Sequence, residues 1–346
     1  MDNNEQNQWL FSRGIDLTVF LGSAAASILL LVVGHFLGLL SADSPEWTWI
    51  AAILFIDVAH VWSTVYRTYF DAQELRSRLW LYLLVPSLGY FLGVLLYSEG
   101  RMVFWRLLAY LAVFHFVRQQ YGWVALYRSR AGETSRTTYW IDTFAIYLAT
   151  VYPLAYWMTT PGRHFNWFVE GDFAILPAFV ERVLFPAYIV SLAAYFSKSI
   201  YFYFSRGITT VGKDIVVLTT AVCWYLGIVV FNSDYAFTVT NVIIHGVPYF
   251  AIIYLYAAKR RATSNRFYRT LTHNWLIFLA TLWLLAYAEE LFWDKSVWHE
   301  RGWFFGSYWD LEDWHMYIVP LLALPQITHY VLDGFIWKRR YREEIV

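Results

Sequence analysis

The run Leu17–Leu40, LTVFLGSAAASILLLVVGHFLGLL, contains no Asp, Glu, Lys or Arg. A helix rises about 1.5 Å per residue, so such a run is long enough to cross roughly 30 Å of hydrocarbon. Several further windows exceed 18 apolar residues with few charges, and a chain built this way is predicted to fold as an all-α, polytopic integral membrane helical bundle. Composition agrees: 59% of the 346 residues are hydrophobic, 15% are charged, and mean hydropathy is +0.41.

Hydropathy interrupted by charged breaks places about ten spans, at 17–40, 46–67, 79–98, 102–127, 138–160, 177–204, 212–232, 234–258, 275–293 and 314–337, with eight or nine as the alternatives. The polar start, MDNNEQNQWLFSRG, lacks a basic leader and a small-residue cleavage site, so the first span is expected to stay in the membrane. One domain, 1–346, is expected. Segments 161–176 and 294–313 are too charged to cross yet rich in Trp and Phe, which predicts interfacial loops. Most of the 26 Lys and Arg fall in alternate loops and in the tail KRRYREE, so both termini are expected to be cytoplasmic. A bacterial inner membrane is the expected location.

The net charge of zero offers no basic surface for nucleic acid, and membrane lipids are the expected surroundings. The single cysteine, Cys223, rules out a disulfide framework and a thiolate metal cluster. Any metal must therefore use His, Asp or Glu.

Ionisable side chains within hydrocarbon cost about 3 kcal/mol each on insertion scales, which makes them candidate functional residues. The second span reads ILFIDVAHVWSTVYRTYFD and carries Asp57 and His60 one turn apart. By themselves the two are as well explained by a local hydrogen bond as by chemistry. Three more spans of the same predicted direction carry His115, His245 and His329. The four histidines precede the first basic residue of the cytoplasmic end by 7 to 14 residues, a depth of roughly 10–21 Å, so they can share one layer. Each has an oxygen-bearing neighbour a turn away: Asp57 for His60, Gln119 for His115, Asn241 for His245 and Asp333 for His329.

These positions predict a metal site of His60, His115, His245 and His329, with Asp57 and Asp333 as oxygen ligands or as acceptors that fix the imidazoles. Imidazole with carboxylate suits Fe(II), one or two ions, ahead of Zn or Cu, because an apolar bundle is a setting for dioxygen chemistry. Tyr66, Tyr121 and Tyr249 are candidate proton or hydrogen-bond donors. Arg118 is expected to pair with Asp57 or Asp333, Glu289 and Glu290 to snorkel to the outer interface, and Asp142 to pair locally. Mid-span aromatics such as Trp62, Phe116 and Trp224 can line a slot for a flat apolar ligand or simply pack the bundle.

Single histidines on separate membrane helices, with no long histidine boxes, resemble the Brp/Blh-type membrane oxygenases, non-haem iron enzymes that cleave beta-carotene to retinal. The present chain differs in having no HxxxH pair, since the i+4 partner of His329 is Asp333. The resemblance implies an iron-dependent oxygenase acting on an isoprenoid. From the residues, the expectation is a membrane metal-dependent oxidoreductase with an apolar substrate and an electron-donor protein as partner. The alternative is a transporter or channel whose His and Asp residues line a path.

Overall fold

The computed structural model describes residues 8–41, 44–206 and 210–337; the expected tail anchor, KRRYREE, lies outside the described residues. Among them there is no strand. Among the described residues, seven helices are long and apolar enough to cross a membrane: Arg13–Phe36, Glu46–Arg67, Leu79–Glu99, Phe179–Ser205, Val211–Val230, Asp234–Thr263 and Trp275–Trp298. That architecture fits an integral membrane helical bundle. The three other expected spans are also helical but more polar or interrupted: Arg101–Arg130, Arg136–Thr159, and the pair His315–Leu322 and Leu324–Ile336. The last span breaks at Ala323, between Pro320 and Pro325, because proline supplies no N–H to the helix and restricts the residue before it.

Short polar side chains start the helices. Ser12, Ser135, Ser233 and Asn274 each accept a hydrogen bond from a backbone N–H of the first turn. Asp71 does the same for the short helix Ala72–Ser77, taking the N–H of Gln73 at 3.0 Å and of Glu74 at 3.2 Å. Several helices contain π-helical turns, the longest being Trp49–Val58, which ends next to Ala59 and His60. Wide turns of this kind re-aim the side chains that follow them.

The chain divides into two compact units. One comprises Met1–Ala52 and Phe116–Pro248, the other Ile53–His115 and Tyr249–Ile345. In the first, Asp142 is fully buried and receives Arg128, Lys198 and Lys213, so its pairing reaches well beyond its own turn. In the second, Gly89 and Gly93 share one face of Leu79–Glu99. A Cβ at Gly89 would sit 2.9 Å from Ile327 and one at Gly93 2.9 Å from Pro320, so the absence of side chains is what lets Leu324–Ile336, which carries His329, and the preceding helix His315–Leu322 approach.

The two loop segments are irregular. Segment 161–176 buries Phe165 and Asp172, while 294–313 contains one π-helical turn, Asp294–Trp298, and the short helix Gly302–Phe305.

A buried three-histidine centre

His60, His115 and His329 come together in the second unit, each at most 3% exposed. Each offers one ring nitrogen, and these atoms lie within 4.8 Å of one another. They arrive from three helices, Glu46–Arg67, Arg101–Arg130 and Leu324–Ile336, and the ring centroids are 4.4 to 6.4 Å apart. The closest contact is His329 Nε2 to His115 Nε2, 3.0 Å. Two nitrogens at that distance either share one proton or face the same cation. Ligands at about 2.1 Å from one ion stand about 3.0 Å apart at a right angle and about 3.4 Å apart at a tetrahedral angle, so the spacing fits adjacent metal ligands.

Oxygen groups face the Nδ1 side of all three rings. Asp57 Oδ1 lies 3.6 Å from His60 Nδ1, and Asp333 Oδ2 lies 3.6 Å from His115 Nδ1. Thr64 Oγ1 is 2.6 Å from His329 Nδ1, with Asp333 Oδ1 further off at 3.9 Å. Thr64 also contacts the Tyr249 hydroxyl at 3.2 Å, and Tyr249 donates to Asp333 Oδ1 at 2.5 Å. Trp337 Nε1 donates to the same oxygen at 3.2 Å. The two aspartates thus stand behind the imidazoles, which is where acceptors that orient metal-bound histidines are found.

Beside this centre, Glu289 and Glu290 are 5% and 8% exposed, which corrects the expectation that they snorkel to the interface. Three donors explain the burial of Glu289: Trp62 Nε1 at 2.6 Å, Trp293 Nε1 at 3.3 Å and the Gln326 amide. A buried carboxylate needs such partners, and here they come from three different stretches of sequence.

The remaining candidates are distributed elsewhere. His245 belongs to the first unit, where its ring stacks on Phe116 with centroids 3.5 Å apart and planes 7° from parallel. Gln119 donates to the His245 carbonyl at 2.8 Å, and Asn241 donates to Phe237 O and Thr240 Oγ1. Arg118 is exposed; it donates to the Tyr147 hydroxyl at 2.5 Å and lies over the Tyr121 ring. Tyr121 contacts Tyr139 at 3.3 Å, and Tyr66 packs among Phe70, Tyr268 and Phe278. Of the three candidate tyrosines, Tyr249 is the one whose ring meets the clustered histidines, at 5.2 Å from His329 and 5.9 Å from His60. Many aromatics pack on one another, as Trp157 and Phe237 of two helices do with Phe165 and Trp167 of segment 161–176.

Thr64 carries no distinguishing signal in the sequence, since threonine is ordinary in membrane helices; only its place one turn after His60 hinted at the shared face. No family model, curated protein or solved structure matches the chain.

Proposed function

We propose that the chain is a membrane-embedded, metal-dependent oxidoreductase that acts on a lipid or isoprenoid substrate. The observation that carries this reading is the convergence of His60, His115 and His329, buried, with the nitrogens of two of them 3.0 Å apart. Three neutral imidazoles with outer carboxylates suit a borderline divalent ion, and Fe(II), one or two ions, is the proposed occupant ahead of Zn or Cu. His60, His115 and His329 hold it; Asp57 and Asp333 orient the rings. His245, stacked on Phe116 in the first unit, is left out of this set.

Iron, when bound, supplies the one-electron chemistry that couples dioxygen to an otherwise unreactive carbon centre. The chain's own part is to keep that chemistry dry. Burial of the three rings, and the closure of Glu289 by two indoles and an amide, hold bulk water away from the centre. Tyr249 donates its proton to Asp333 rather than toward open space, which makes it an orienting group in the resting arrangement. The resemblance to Brp/Blh-type oxygenases supports an isoprenoid as substrate, and an electron-donor protein is the proposed partner. Ten spans with both termini cytoplasmic, in a bacterial inner membrane, complete the proposal.

Metal analysis of the detergent-purified chain tests it. Iron near stoichiometry in wild type, lost in His115→Ala and His329→Ala, is the expected result. Absence of any metal after both aerobic and anaerobic preparation would overturn it.

A further inference from the structure

The contacts behind His329 have a direction. Trp337 can only donate, and it gives its N–H to Asp333 Oδ1 at 3.2 Å. Tyr249 donates to the same oxygen at 2.5 Å, so its single hydroxyl proton is committed there. At the 3.2 Å contact between Tyr249 and Thr64, the Tyr249 oxygen must then accept and Thr64 must donate. That commits the only proton of the Thr64 hydroxyl. At the 2.6 Å contact between Thr64 Oγ1 and His329 Nδ1, the ring nitrogen must therefore be the donor.

A neutral imidazole has one N–H. With that proton at Nδ1, His329 Nε2 carries a lone pair, and it points at His115 Nε2 across 3.0 Å. At His115 the carboxylate is further off: Asp333 Oδ2 faces its Nδ1 at 3.6 Å, beyond hydrogen-bond length, and attracts a ring proton to that side by charge. What lies between the two nitrogens is then either a proton held by His115 Nε2 or a cation that takes both lone pairs.

We propose that Thr64, Tyr249 and Asp333 form a one-way hydrogen-bond relay that holds the His329 proton on Nδ1 and so turns the Nε2 lone pairs of His329 and His115 onto one cation. The proposal rests on the reading of the three histidines as a metal site. Thr64 and Tyr249 are positioning residues in this arrangement: neither touches the ion, and both act through His329. The tautomer is thus set by residues up to 269 apart in the sequence, Thr64 and Asp333, through a chain of donors that ends on one carboxylate oxygen.

Titration of the purified full chain with Co(II), followed by visible absorption, tests the relay and the site separately. Wild type is expected to bind Co(II) saturably with ligand-field bands, and His329→Ala to lose them. Thr64→Val preserves shape but removes the hydroxyl; it is expected to weaken Co(II) binding about 10- to 100-fold and to shift the bands. Thr64→Ser, which restores the hydroxyl, is expected to recover both. Tyr249→Phe, which keeps the ring, is expected to fall between them. Thr64→Val with wild-type affinity and spectrum would overturn the relay while leaving the metal site standing. A folded wild type that binds no Co(II) would overturn the metal reading and the relay with it.

Discussion

His115 Nε2 and His329 Nε2 lie 3.0 Å apart although 214 positions of sequence separate them. Groups that serve one ion act as a unit, so their losses do not add. His115→Ala and His329→Ala are each expected to reduce bound metal to background, and the double variant to lose nothing more. Elemental analysis of the three proteins, purified side by side, checks this. A double variant with clearly less metal than either single one would argue for two independent sites.

His245 makes a useful contrast, because its ring stacks on Phe116 in the other compact unit. His245→Ala is expected to keep the metal content of wild type while lowering thermal stability by about 1 kcal/mol through loss of the stacked pair. Metal loss equal to that of His329→Ala would instead make His245 a fourth ligand.

Glu289 satisfies three buried donors, Trp62, Trp293 and Gln326. Removing the carboxylate leaves them without an acceptor, at about 1–3 kcal/mol for each buried group left unmade. Glu289→Ala is therefore expected to destabilise the chain by at least about 3 kcal/mol, and Glu289→Gln by clearly less, since one amide oxygen still accepts. Thermal unfolding in a single detergent, with the two variants compared directly, reads the difference.

Asp142 sits among Arg128, Lys198 and Lys213 with no exposed surface. Breaking such a group by removing its anion leaves buried cations uncompensated, which costs about 3–5 kcal/mol. Asp142→Ala is expected to be the most destabilising single change in the first unit, measured by yield and unfolding temperature. Little change would mean that water or Glu133 compensates the cations.

Asp71 lies outside the apolar spans, where its carboxylate accepts from Tyr256 at 2.7 Å and Arg260 at 2.9 Å. Burial pushes this carboxyl up, but the bonds from Arg260, Tyr256 and the Glu74 N–H outweigh it and hold it below the usual range. A depressed folded-state value means that the stabilisation is complete above the unfolded value, about 4, and is lost as pH falls through the lower folded one. Unfolding temperature is expected to drop across that acid window in wild type and to be flatter, and lower at neutral pH, in Asp71→Asn. Parallel curves for the two proteins would sink the assignment.

The helices were legible because long charge-poor windows leave the chain few alternatives, and all four histidines stood out because ionisable groups are rare in such windows, although only three of them meet. Much of what surrounds them was not. The partners of Glu289 come from Trp62, Trp293 and Gln326, and nothing in local spacing announces that they meet. The one-turn rule located Asp57 behind His60 and Asp333 behind His329, but it misassigned Gln119, which reaches the backbone of His245. Asn241 likewise turns to its own helix, at Phe237 and Thr240. Amide side chains bond equally well to backbone, and a pattern of sequence spacing cannot say which they choose. Arg118, expected beside an aspartate, has Tyr147 as its hydrogen-bond partner, because a long side chain reaches well beyond its own turn.

The ten π-helical residues from Trp49 to Val58 set His60 by count as much as by identity. A π-helical stretch holds extra residues that an α-helix would not accommodate in the same rise. Deleting one residue between Trp49 and Phe55 without a matching change in the width of the turns would swing everything after it by about 100° about the helix axis. In this segment a single-codon deletion amounts to a change at the three-histidine centre made at a distance, while many same-length changes of its exposed residues would pass unnoticed.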